Sequence, residues 1–93
     1  MKESILTDRK DVCYICGRPA TEIHHIYFGT ALRKISDKNG FVVPLCRDCH
    51  TGGKHAVHRD RRTDLMLKEE CQALYESFYG HAAFMKLIGR NYL

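Results

Sequence analysis

Two Cys-x2-Cys pairs, Cys13 with Cys16 and Cys46 with Cys49, are separated by 29 residues of this chain. Two-residue spacing lets both thiolates of a pair reach one ion at about 2.3 Å, and two pairs complete a tetrahedron, so the pattern points to one structural zinc. The plain alternatives are four reduced thiols without a metal, or two disulfides. The gap is longer than the roughly 15–20 residues of a common zinc ribbon, so further structure must be built between the knuckles. Cys71 stands apart, flanked by Leu67 and Leu74 in a helical pattern. It reads as a buried, inert thiol rather than a ligand or nucleophile.

Five of the six histidines (24, 25, 50, 55 and 58) fall within or just after this frame. Neutral imidazole is a good transition-metal ligand and also a general base near neutral pH. His24 and His25 are adjacent, and neighbouring side chains of a strand point to opposite faces. One can therefore coordinate a metal while the other faces a substrate.

The elements that must position these groups can be read from pattern. Residues 1–12 are polar and expected to be a loosely held lead-in. Gly17 and Pro19 give the first knuckle its turn geometry. Glu22–Tyr27 (EIHHIY) suits a short strand closed by Gly29, and Phe41–Leu45 (FVVPL) a second, with Pro44 at an edge or strand end. Residues 30–40 are expected to be a polar, basic connection ending in an Asn39-Gly40 turn, which makes the strands a hairpin. Cys46–His50 should open a helix that Thr51-Gly52-Gly53 interrupts. Residues 63–79 carry an apolar stripe at helical spacing, with Thr63 or Asp64 as start and Gly80 as stop. A shorter helix is expected over about 81–89. The reading is an α+β chain of 93 residues in one domain: a zinc frame over 13–58 and a helical scaffold over 63–93.

A domain this small buries little surface and needs a staple, which a structural metal supplies. No signal-peptide pattern and no apolar run of about 20 residues is evident, so a cytoplasmic setting without membrane insertion is expected, where paired cysteines usually bind metal. The net charge is +4. Between Arg33 and Arg62 lie eight Lys or Arg residues against three Asp, so the positive charge is concentrated around the frame. Such an excess fits a phosphate-binding face, although a run like Arg59-Asp60-Arg61-Arg62 also reads as ordinary solvated surface.

Taken together, CYIC, EIHHI and VVPLCRDCH resemble the HNH endonuclease family in its zinc-stapled form with two CxxC pairs. The likeness spans about residues 13–58, and the small size resembles HNH-like proteins of bacteriophages and prophages. The resemblance implies a ββα-metal fold gripping one catalytic divalent cation. It makes His25 the general base, His24 and His50 metal ligands, and His58 or, less favoured, His55 a further ligand. The family's middle Asn should stand nine positions before the last motif histidine. Phe41 stands there instead, and Asn39 lies two residues earlier. Either Asn39 reaches the same orienting role through a longer turn, or backbone contacts suffice; alternatively it is half of an Asn-Gly turn.

Phosphodiester hydrolysis needs a proton acceptor for the attacking water and relief of charge on phosphate and leaving oxygen. His25 and a metal on His24 and His50 meet these needs, with Mg, Mn, Ni and Zn all compatible. Arg33, Lys34, Arg59, Arg61 and Arg62 are candidates for holding flanking phosphates of DNA, with little base specificity and strong salt dependence. The expected function is a metal-dependent DNA endonuclease. The alternative is a zinc-knuckle nucleic-acid-binding accessory protein with an idle HNH-like site, and the C-terminal helices offer a possible homodimer contact.

Overall fold

The computed structural model describes residues 3–93. Strand β1 (Glu22–His25) pairs antiparallel with β2 (Val42–Leu45) in a two-stranded sheet. The register sets His24 opposite Val43 and His25 opposite Val42. Both strands are shorter than expected, β1 ending at His25 and β2 starting at Val42, although the Ile26 N–H still donates to the Phe41 carbonyl at 2.9 Å.

The largest departure lies between the strands. Residues expected to form a polar connection form helix α1 (Thr30–Asn39), so β1 and β2 are joined through a helix rather than a tight hairpin turn. Leu32, Ile35 and Ser36 make its inward face, at the 3–4 spacing of a helical stripe, while Arg33, Lys34 and Lys38 are exposed. Ser36 is fully buried; its hydroxyl donates to the Tyr27 carbonyl at 2.7 Å and accepts from the Tyr27 N–H at 3.2 Å. This two-way clamp pins α1 to the chain just after β1. Gly40 does not form a hairpin turn; at φ 77° it is the left-handed C-cap of α1, its N–H donating to the Ser36 carbonyl. A Cβ on Gly40 would also meet the Glu3 carbonyl oxygen. Gly40→Ala should therefore lower the melting temperature by at least about 5 °C, from left-handed strain of about 1–2 kcal/mol plus that contact. A thermal melt at the wild-type value would contradict this account.

Cys46–His50 does not open a regular helix. A single π-helical turn, Asp48–Gly52, follows the second knuckle and ends at Gly53, whose extended backbone breaks it. Helix α2 (Arg61–Tyr79) begins two residues earlier than expected because Asp60 caps it, accepting from the Arg62 N–H at 2.9 Å. Asp64 is instead buried and pairs with Lys68 one turn on, at 2.7 Å. Gly80 ends α2 and α3 follows as His81–Ile88.

The core joins all of these elements. Tyr27, Phe41 and Phe84 are fully buried, with Tyr27–Phe41 and Tyr27–Phe84 ring centroids each 5.5 Å apart. The Tyr27 hydroxyl donates to the Lys68 carbonyl at 2.7 Å, coupling the post-β1 segment to α2. Buried Gln72 on α2 bonds Asn91 and the Tyr92 N–H, each at 2.7 Å, and so fastens the C-terminal tail. The lead-in is tied as well: the Ile5 N–H donates to the Gly40 carbonyl, and Val12 bridges Pro19. Residues 1 and 2, part of the expected lead-in, lie outside the described residues. No described helix is long and apolar enough to cross a membrane.

Candidate metal centre

Four thiols converge where the first knuckle meets the second. The sulfurs of Cys13, Cys16, Cys46 and Cys49 all lie within 4.8 Å of one another, and Cys16 and Cys46 Sγ are 3.6 Å apart. Sulfurs about 2.3 Å from a tetrahedral zinc would stand about 3.8 Å from each other, so the set fits a structural metal ion such as zinc. The first knuckle closes through the Gly17 N–H to the Cys13 carbonyl, and the Tyr14 N–H donates to Pro44 of β2 at 2.8 Å. In the second, the Cys49 N–H points at Cys46 Sγ, 3.5 Å away. Burial alone would raise the Cys13 thiol, but N–H groups of Cys16, Cys46 and Ile15 around it bring it down to about 6. Burial and the neighbouring thiols push Cys49 up. One thiol favoured as thiolate beside another that resists a second negative charge is an arrangement a bound cation would relieve. Cys71 is outside this set: fully buried on α2, its thiol is pushed up to about 12 by burial.

A second group lies against β1. Donor atoms of His24, His50 and His58 lie within 4.8 Å of one another, with ring centroids 4.8 to 5.2 Å apart. Each comes from a different segment: His24 from β1, His50 from the π-helical turn, His58 from the turn before α2. His58 therefore stands just ahead of α2 rather than on it. His24 is 1% exposed, and its Nε2 finds no hydrogen-bond partner among the described residues. Burial and the nearby His58, His50 and Lys68 hold its ring down to about 3, so it is neutral at physiological pH with a free lone pair. Burial and His50 also lower His58, while Asp64 acts in the opposite sense. A buried, neutral, unpartnered imidazole converging with two others fits a divalent metal.

The strand alternation explains a residue missed in the sequence. Glu22 shares the His24 face of β1, two residues away, and its Oε1 lies 2.7 Å from His50 Nδ1. The carboxylate engages Nδ1 and so leaves Nε2 as the ring nitrogen free to face the other two histidines. Phe28 covers the other flank, with its ring 5.2 Å from His58 and Lys68 Nζ 4.2 Å from its centroid.

The remaining sequence candidates are distributed as follows. His25 lies outside the three-histidine group and turns to the opposite face of β1, where its Nε2 is 2.8 Å from Asp37 Oδ1 on α1. Asn39 does not reach it: its amide donates to the Ile35 carbonyl within α1. His55 is exposed and bonds Asp60 at 3.0 Å. Arg33 and Lys34 stand on α1 one turn before Asp37, so they border the His25 face. Arg59 bonds the Gly52 carbonyl, and Arg61 and Arg62 open α2 as exposed side chains just beyond His58.

The geometry of these two groups is that of an α+β chain with one four-cysteine metal frame and one three-histidine cluster; no family model, no curated protein and no solved structure matches it.

Proposed function

We propose that the chain is a metal-dependent endonuclease of the HNH type, hydrolysing phosphodiester bonds in DNA with low sequence specificity. The observation that carries this reading is the buried, unpartnered His24 Nε2 among the ligand atoms of His50 and His58, one residue from a histidine left outside the metal group. Paired cysteine knuckles around a β1–β2 sheet support the same family resemblance, as does the concentration of basic residues on α1 and at the start of α2.

In this reading His24, His50 and His58 hold the catalytic ion, and Glu22 keeps the His50 ring aimed. A divalent ion there would offset charge on the scissile phosphate and on the departing oxygen. His25 accepts the proton of the attacking water. Arg33 and Lys34 on one side, and Arg59, Arg61 and Arg62 on the other, contact flanking phosphates and align the strand. The thiol frame fixes β2 and the π-helical turn, and through them His50, without taking part in the chemistry.

The position of Asn39, turned into its own helix, favours a second reading: a zinc-knuckle nucleic-acid-binding accessory protein whose HNH-like site is idle. Incubation with supercoiled plasmid separates the two. Mg, Mn, Ni or Zn should convert it to relaxed or linear product, with chelation stopping the reaction. Folded, zinc-loaded protein that binds DNA but cuts with none of these ions would establish the accessory reading instead.

A further inference from the structure

Resting on the nuclease reading, we infer that Asp37 is the positioning residue of His25, filling through a carboxylate on α1 the role that the family resemblance gives to an Asn. Asp37 Oδ1 lies 2.8 Å from His25 Nε2. An ionised carboxylate has lone pairs and no proton to give, so in the neutral ring Nε2 must be the protonated nitrogen. The other nitrogen, Nδ1, then carries the free lone pair and is the atom that accepts a proton. In the reaction, an O–H bond of water breaks and its proton passes to Nδ1 while the water oxygen bonds to phosphorus. The bond from phosphorus to the leaving oxygen breaks, its electron pair stays on that oxygen, and solvent protonates it. The imidazolium formed on His25 faces the Asp37 carboxylate, which stabilises that charge without itself taking the proton.

Delivery of Asp37 is a consequence of α1. Ser36 is hydrogen-bonded in both directions to the backbone of Tyr27, two residues after His25. Its neighbour Asp37 is thereby brought to His25, and the His25 side chain is 14% exposed against 45% for Asp37. The pair is shielded enough to be oriented, and the carboxylate is open enough that replacing it should not disturb the core. Asn39, two residues later, has rotated past this face and spends its amide on Ile35.

The test compares Asp37→Ala and Asp37→Asn with wild type by two readouts. In plasmid cleavage, Asp37→Ala should lower kcat by about 100-fold or more, within the range of general-base effects. Asp37→Asn, which keeps an acceptor oxygen but loses the charge, should fall between. In nitrogen NMR of the imidazoles, wild-type His25 should be the Nε2-protonated tautomer, Asp37→Asn should retain it, and Asp37→Ala should become a mixture. Cleavage at the wild-type rate by Asp37→Ala, or an unchanged His25 tautomer in it, overturns the inference and leaves the nuclease reading standing. Wild-type protein that cuts nothing removes the nuclease reading and this role with it. The tautomer then shows whether the Asp37–His25 contact itself was correctly identified.

Discussion

Cys46→Ser should cost the protein its bound zinc and its fold together. Cys46 is 8% exposed, its sulfur is 3.6 Å from that of Cys16, and it receives the Cys49 N–H. It therefore links the two knuckles to each other and to the end of β2. A structural zinc site contributes about 10–16 kcal/mol of apparent binding free energy, which is also folding free energy. Small domains have a net stability of about 5–15 kcal/mol, so little is left once the site fails. The checks are one zinc per chain by elemental analysis in wild type, its loss in the variant, and a vanished cooperative melt. Chelator treatment of wild type should reproduce both losses. A Cys46→Ser protein that melts cooperatively near the wild-type temperature would refute the metal frame as a folding device. Cys71→Ser is the matched comparison: that thiol is buried in the core but outside the frame, so zinc content should stay unchanged.

His25→Ala should abolish plasmid cleavage while leaving the fold and the zinc in place. His25 belongs to neither metal group, and its one hydrogen-bonding partner among the described side chains is Asp37, whose carboxylate is partly exposed. In the nuclease reading its removal takes away the proton acceptor, while both metal groups keep all their side chains. A loss of about 10²–10⁴-fold in rate is expected for a general base. Unchanged zinc content, an unchanged melt and undiminished DNA binding identify the effect as chemical. A variant that still cuts at the wild-type rate would remove His25 from the reaction.

The sequence made some of this visible and hid the rest for identifiable reasons. Spacing alone exposed the four thiols, since C-x2-C is a local pattern and its meaning does not depend on distant contacts. Helix α2 followed from a long apolar stripe stopped by Gly80, and α3 from the shorter apolar pattern expected over about 81–89. Helix α1 was hidden because its inward face is short and includes Ser36, a polar residue whose burial is justified only by the Tyr27 backbone nine positions away. Missing α1 also meant missing Asp37, and it made Asn39-Gly40 look like a hairpin turn. Glu22 was within reach: alternation along β1 puts it on the His24 face, and only its partner, His50, comes from far along the chain. The π-helical turn was not readable, because Gly52 and the following Gly53 mark a break without fixing what precedes it.

The thiol frame has an entropic side. Cys16 and Cys46 bracket β1, α1 and β2, so an ion held by both would close one loop around the whole sheet and its connecting helix. Closing a loop of about 30 residues is an entropic step that must precede the reward from any contact within it. An ion held by both pairs of thiols would meet that cost once for every contact inside the loop. His24 and His25 lie inside the closed loop, whereas His50 and His58 follow just after its end. A metal in the frame would therefore draw the segment carrying His24 and His25 toward the start of the one carrying His50 and His58, shortening the chain closure left for the three-histidine cluster.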